Sequence, residues 1–299
     1  MFTRRGFLKF LWRGGLVLGA MAAYPFTEAM AGTRITTYKL TPPGWTPGLK
    51  LRVAVIADIH ACEPWMSAER IKSICDRTNE LAPDVILMLG DYVSGMNLVT
   101  DYVHSSDWSK AMAGLSAPLG VHAVMGNHDY WEDLTFQRDQ TAEPFAKAAL
   151  ESVGIPVHVN RAVRLEKDGH GFWLAGLDDQ VALRPGRRFD RVGWQGLDDL
   201  PATLAQVTDD APVILLAHEP DIFPDVPERV GLTISGHTHG GQINMFGWKP
   251  VVPSRFGARY AGGHIEEGGR HLVVSRGLGC SIIPVRFMSR PEIVLLQLG

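Results

Sequence analysis

An α/β fold is what this sequence predicts, on three observations. Short β-branched apolar runs alternate with stretches of helical spacing through the first half of the chain. The second half is mostly short strands and turns. Asp, Asn and His residues stand directly after the apolar runs, where the loops of an open α/β sheet converge.

The elements follow in order. Residues 51–57 are a buried strand ending at Asp58. Residues 66–81 place Met66, Ile71, Ile74, Cys75, Thr78 and Leu81 at helical spacing and stop before Pro83. Residues 85–89 form the next strand and lead into Gly90-Asp91; a helix is expected over 108–115. Residues 120–125 are a strand ending at Gly126-Asn127-His128-Asp129, and 142–152 are helical. Runs near 157–166 and 171–177 read as antiparallel strands. Residues 213–217 and 232–235 are strands ending at His218 and at Gly236-His237-Thr238-His239. Short strands and turns follow, closing with 292–298. There is no internal repeat and no low-complexity segment.

With 299 residues, 45% hydrophobic and 20% charged, the chain can bury a full core. A net charge of −3 leaves no broad basic face, which argues against a stable nucleic-acid partner. Three cysteines (Cys62, Cys75, Cys280) and no CxxC pair exclude a disulfide framework and a zinc ribbon. Cys62 lies two residues after His60; it reads as a small loop residue ahead of an extra ligand or a reactive thiol.

The N-terminus reads as an address. Thr3-Arg4-Arg5-Gly6-Phe7-Leu8-Lys9 is followed by an apolar run over 16–24, then Pro25 and Ala29-Met30-Ala31. A positive start, a short apolar run and a small-residue site form an export signal, and the Arg pair resembles the twin-arginine type read by that export machinery. The run is too short to span a bilayer comfortably. The expected organisation is a signal over 1–31, a linker and lead-in over 32–49, and one domain over 50–299. The expected place is the periplasm or the outer face of the cytoplasmic membrane. An uncleaved signal would tether the chain to the membrane surface.

Taken singly, the polar motifs are weak, since a strand-end Asp is often a cap and Gly-Asn-His-Asp suits a turn. Their joint order is not. The series Asp58-x-His60, Gly90-Asp91, Gly126-Asn127-His128-Asp129, His218 and Gly236-His237-x-His239 resembles the calcineurin-like metallophosphoesterase family. The resemblance covers roughly 50–298. The wording around His218, over 235–242 and over 277–293 is similar to its exported or membrane-associated bacterial branch, which includes phosphodiesterase-like members and enzymes acting on UDP-diacylglucosamine.

That resemblance implies two mixed sheets packed as a sandwich flanked by helices. It implies two divalent metal ions, with Asp58, His60 and His239 on the first, Asn127, His218 and His237 on the second, and Asp91 bridging. Imidazole, carboxylate and amide donors suit Mn, Fe, Zn or Co. A metal-activated hydroxide would attack a phosphodiester or diphosphate bond, with His128 as general acid and Asp129 holding its imidazole. The substrate would be a phosphoester or a lipid diphosphate. A phosphomonoesterase or protein phosphatase on the same site is the enzyme alternative; a non-catalytic metal-binding scaffold is the other. No Gly-x-Ser-x-Gly or cysteine nucleophile motif supports a covalent mechanism.

Two loops, 92–107 and 130–140, are expected to form the lip, with Tyr92, Met96, Leu98, Tyr102, Tyr130, Trp131 and Phe136 either facing substrate or packing inward. Arg255, Arg276 and Arg286 are candidates for a phosphate clamp. His104, His122, His158, His170, His264 and His271 read as surface or core residues.

Overall fold

The computed structural model describes residues 3–299. Two mixed sheets stack face to face. The first has five strands in the order Arg34–Leu40, Glu292–Leu298, Leu51–Ile56, Val85–Met88, Val121–Ala123. The last three run parallel, so their C-terminal ends share one edge. The second has six strands: Gly263–Glu267, Arg270–Val274, Leu232–Ser235, Val213–Leu216, His170–Gly176, Arg161–Lys167. Its four inner strands are parallel.

The β-branched and leucine runs explain the stacking. Val53, Val55, Leu87, Val294 and Leu296 of the first sheet meet Leu174, Ile214, Leu216, Ile234 and Val273 of the second in one buried cluster. The alternate residues Ala54, Ile56, Ile86 and Met88 face the other way, against Ile71, Ile74, Trp108, Met112 and Leu150 of the helices. Strands buried on both faces read as continuous apolar runs rather than alternating ones, as these do. The second sheet's outer face carries Trp173, Ala175, Val213 and Leu215 under Leu200, Ile222, Val226 and Val230.

The helices lie near their expected places. Ala68–Glu80 is capped by the Ser67 side chain, which accepts from the Arg70 N–H. Ser105–Met112 starts three residues earlier than its spacing suggested, because His104 serves as its N-cap. Phe145–Ser152 is the third. The antiparallel pair turns at Asp168-Gly169, both at positive φ, as a two-residue hairpin requires. Residues 157–160 do not join that pair, because Val157 bridges Ala123 of the first sheet before the chain crosses over.

Residues 32–49 hold a strand. Within this expected linker, Arg34–Leu40 is an edge strand, parallel to Glu292–Leu298 in full register. Its run Ile-Thr-Thr-Tyr is β-branched and aromatic, which favours a strand even without a wholly apolar face. Before it, Arg4–Ala29 is a 26-residue helix whose end packs on the domain.

Candidate metal centre

Three turns of the first sheet and two of the second meet at one edge. Gly90 and Gly126 permit that crossing: a Cβ on Gly90 would sit 2.4 Å from the Gly126 nitrogen, and one on Gly126 would sit 2.5 Å from the Asp91 nitrogen.

The meeting point is a buried knot of donors. Asp58, His60, Asp91 and His239 bring one ligand atom each within 4.8 Å of one another, and so do Asp91, His218 and His237. Asp91 belongs to both groups. His60 Nε2 lies 3.4 Å from Asp91 Oδ2, and His218 Nε2 lies 3.3 Å from the same oxygen. His239 Nε2 is 3.7 Å from Asp58 Oδ1 and 3.1 Å from His60 Nε2. Asn127 is buried beside them, with Oδ1 2.8 Å from His237 Nδ1. Every sequence-predicted ligand is therefore in the knot.

The arrangement fits two cations. His60 Nδ1–H donates to the Val93 carbonyl and His218 Nδ1–H to that of Leu89, which leaves both Nε2 lone pairs turned inward. His218 Nε2 and Asp58 Oδ2 are buried without a hydrogen-bond partner, an arrangement costly in a closed protein unless something positive sits among them. Asp58, His60, Asp91, His237 and His239 all have positive φ. That backbone strain costs about 1 kcal/mol or more per residue and collects at functional sites.

The protonation pattern points the same way. Burial holds His60 down to about 3 and lowers His237 and His239, the latter also opposed by His60 and Arg286, so these rings are neutral. Burial pushes Asp58 up to about 7, with Asp91 adding to the rise. Burial opposes charge on His218 too, yet the Asp91 carboxylate raises it well above the ordinary histidine range. The site thus favours positive charge beside Asp91.

His128 stands apart from the knot. Its ring packs edge-on to His60 at 4.9 Å and against Trp131 at 5.1 Å. Nε2 lies 3.4 Å from Ser281 Oγ, and Nδ1 lies 3.4 Å from Glu132 Oε1. Burial opposes its charge, but Asp91 and Glu132 outweigh it and raise the pKa.

Asp129 does something other than hold His128. Its carboxylate accepts from the backbone N–H of Asp91, Tyr92, Val93 and Gly126 at 2.8–3.1 Å. With all its lone pairs drawn to amides, it clamps the Asp91 turn. The imidazole's neighbour is instead Glu132, one helical turn after His128, a spacing visible in the sequence.

Of the two readings of the lip residues, inward packing holds for most. Tyr92, Met96, Tyr130 and Phe136 are buried in the domain, while Leu98 and Tyr102 are exposed away from the metals' cleft. Trp131 alone of that set lines the cleft, which holds about 420 Å³ above Asp91, Asn127, His128, His237 and His239. Its wall comes from elsewhere: Ile243, Pro250, Val251, Pro253, Ile282 and Ile283. These segments have no periodicity, so the sequence carried no signal for them.

The arginines are spoken for. Arg286 is fully buried, bonded to the carbonyls of Gly279, Arg276 and Ser289, with Nη2 3.2 Å from His239 Nδ1. Arg276 pairs with Glu292, and Arg255 with Asp225 in a neighbouring cleft. The remaining histidines are structural where their bonds are seen: His104 caps a helix, His122 pairs with His158, and His264 with His271. Cys62 is buried against Ala29, Met96 and Cys280, and burial pushes its thiol up.

A sandwich that delivers two carboxylate–imidazole groups sharing one aspartate to a single edge defines a binuclear metallohydrolase. The model of the calcineurin-like phosphoesterase family matches residues 51–241, and the chain belongs to that family. It is 30% identical over 309 residues to the uncharacterized metallophosphoesterase YkuE of Bacillus subtilis, spanning 99% of this chain and 97% of that one. An uncharacterized metallophosphoesterase of Aquifex aeolicus is 27% identical, with 89% and 91% covered. Phosphodiesterase YaeI of Escherichia coli is 29% identical over 302 residues, with 91% and 97% covered.

Proposed function

We propose that this metallophosphoesterase cleaves phosphodiesters or diphosphate-linked lipids outside the cytoplasm. One observation carries the choice of ester. The cleft wall above Asp91 and His128 is apolar, and the arginine of the adjoining cleft that shares Trp131 and His237, Arg255, is bonded to the Asp221 carbonyl and Asp225. A phosphomonoester dianion would call for further cationic partners. A phosphodiester carries one charge less, a diphosphate-linked lipid spreads its two charges over two phosphates, and both have a second, often apolar, group to place against Ile243, Val251, Ile282 and Ile283.

Asp58, His60 and His239 would hold one ion, Asn127, His218 and His237 the other, and Asp91 both. Two such ions, from among Mn, Fe, Zn and Co, supply an acidified water and neutralise charge on the phosphate oxygens. The chain does the rest. Asp129 fixes the Asp91 turn, and Val93 and Leu89 orient the rings of His60 and His218. Trp131 and the apolar wall limit water at the mouth. His128, on the cleft wall beside Trp131, would give a proton from Nε2 to the leaving oxygen. Glu132 holds the other side of the ring.

Turnover of bis-p-nitrophenyl phosphate by the full chain with each first-row metal tests this. Diester cleavage should exceed that of p-nitrophenyl phosphate and vanish in Asp91→Ala. Faster monoester cleavage would shift the reading to a phosphomonoesterase; no metal binding and no turnover would leave a scaffold. The twin-arginine start supports export, and recovery of the protein only in the cytoplasm would overturn that part.

A further inference from the structure

The strongest unexplained feature is a hydrophobic rim joined to the N-terminal helix. Residues 242–248 run beside 283–287: Asn244 donates to the Phe287 carbonyl at 2.8 Å, and Phe287 donates to that of Gln242 at 3.0 Å. The first of these segments ends in a two-residue turn, with Met245 and Trp248 exchanging backbone bonds around Phe246 and Gly247. Both turn residues have positive φ, at 55° and 102°. Asn or Gly suits such a corner. A phenylalanine there is strained, and its side chain is 87% exposed with nothing packed on it. Trp248, Val251, Ile282 and Met288 are exposed around it. Val251 and Ile282 also line the cleft, so this patch is the outer margin of the metal centre's mouth.

The helix Arg4–Ala29 is fastened to the same loops. Glu28 is 6% exposed, and its carboxylate accepts from the Met288 and Ser289 N–H groups, both at 2.9 Å. Ser289 Oγ in turn donates to the carbonyl of His239. The Pro25 carbonyl accepts from the Arg286 N–H, and Tyr24 meets Phe287 edge to face at 5.5 Å. Ala29, inside the small-residue motif of the export signal, is buried beside Cys62 and Cys280. The end of the signal is thus built into the wall behind a metal ligand. Away from that end, Phe10, Trp12, Leu16, Leu18 and Met21 are exposed. Arg4, Arg5, Lys9 and Arg13 are exposed among the first turns.

We propose that the N-terminal helix stays on the chain and, with the rim around Phe246, Trp248 and Ile282, forms one docking face that seats the metal centre's mouth on an anionic phospholipid bilayer. Charge complementarity and continuity select this occupant. Apolar side chains with nearby Lys and Arg match acyl chains beneath anionic headgroups, and Glu28 links helix and rim into one surface. No helix among the described residues is long and apolar enough to cross a membrane; the helix is placed at the surface because Glu28 and Tyr24 fasten its end to the rim.

Flotation of the full chain with phosphatidylglycerol-containing vesicles tests the proposal, against pure phosphatidylcholine vesicles and the double variant Phe246→Asn/Trp248→Ser. Asn suits the left-handed corner, so the variant should fold with an unchanged or higher Tm. The expected result is binding to the anionic vesicles, at least about tenfold weaker in the variant. Intact mass of the protein recovered from membranes should show the helix still attached. Equal flotation of the two proteins, or none by the unaltered chain, overturns the proposal. So does a mature chain beginning at Gly32. A dimer that the variant converts to monomer, with vesicle binding unchanged, would assign the face to a second copy. Turnover of soluble bis-p-nitrophenyl phosphate, measured on the same samples, reports on the phosphoesterase reading separately.

Discussion

His128 and its neighbours show how much hangs on single side chains. The imidazole lies between Ser281 Oγ and Glu132, outside the groups that share Asp91. Replacing it would remove the proposed proton donor without touching the donor atoms that share Asp91. His128→Ala should lower kcat on a diester by about 10²–10⁴-fold, a typical size for general acid catalysis, with bound metal unchanged by elemental analysis. Loss of the metals in that variant would instead make His128 a ligand. Glu132→Gln should give a smaller kcat loss at constant KM, because the amide keeps the side chain's size beside Nδ1 but lacks the charge. Asp129 belongs to a different class. Asp129→Ala strands three buried N–H groups, each costing about 1–3 kcal/mol, and a fourth, part-buried one at Val93. A large fall in Tm together with lost metal is expected, where a role confined to His128 would cost activity alone.

At the scale of elements, the strands were legible because each buried run has to be apolar on both faces, and the ligands were legible because they follow those runs directly. Asp58, Asp91, Asn127, His218 and His237 could be placed on one edge before any coordinates. Arg34–Leu40 was not, since an edge strand needs no continuous apolar run. The cleft wall was not, since 241–253 and 281–283 are held by turns and single bonds. The contacts of Asp129 with backbone amides and the burial of Arg286 against carbonyls were not legible, because a sequence shows charge but not which way a side chain turns.

A pH effect belongs to this scale, where the first sheet's last strand meets the crossover after it. His122 Nε2–H donates to the Leu119 carbonyl at 2.9 Å, so its Nδ1 accepts from His158 Nε2–H, also at 2.9 Å. Both rings are then neutral, and His158 Nδ1 is buried without a partner. Burial, with His122 and Arg161 adding, lowers His158 from 6.5 to about 4. The folded-state pKa lies below the unfolded one, so this stability is present above pH 6.5. It is lost as pH falls toward about 4, where the folded ring also takes its proton. His158→Gln keeps the donor and cannot titrate. Unfolding free energies across that window should fall less in the variant, by up to about 3 kcal/mol. An identical slope in both proteins would sink the assignment.

For the whole molecule, the metal centre is also a clasp. The turns of the first sheet supply Asp58, His60, Asp91 and Asn127, and those of the second supply His218, His237 and His239, so ions in the knot would tie the two sheets at one end. The only direct bond between these ligand sets that uses a backbone group runs from the His237 N–H to Asp58 Oδ1, at 2.8 Å. The apolar interface between the sheets does not depend on the ions, because its contacts lie among Val55, Leu87, Ile214, Ile234 and their neighbours. Chelation should therefore leave a folded protein with a loosened edge rather than an unfolded chain. The strained turns at Asp58, Asp91 and His237 would lose the ligand that offsets their positive φ. With each site filled to about a hundred times its Kd, two ions contribute about 5 kcal/mol, so exhaustive chelation should lower Tm by on the order of 10 °C. Hydrogen exchange should rise at residues 58–60, 90–93, 126–128 and 236–241 and stay constant in the strands between the sheets. Equal protection in both states at those turns would mean that the protein backbone alone fixes the site and that the ions serve the chemistry without serving the fold.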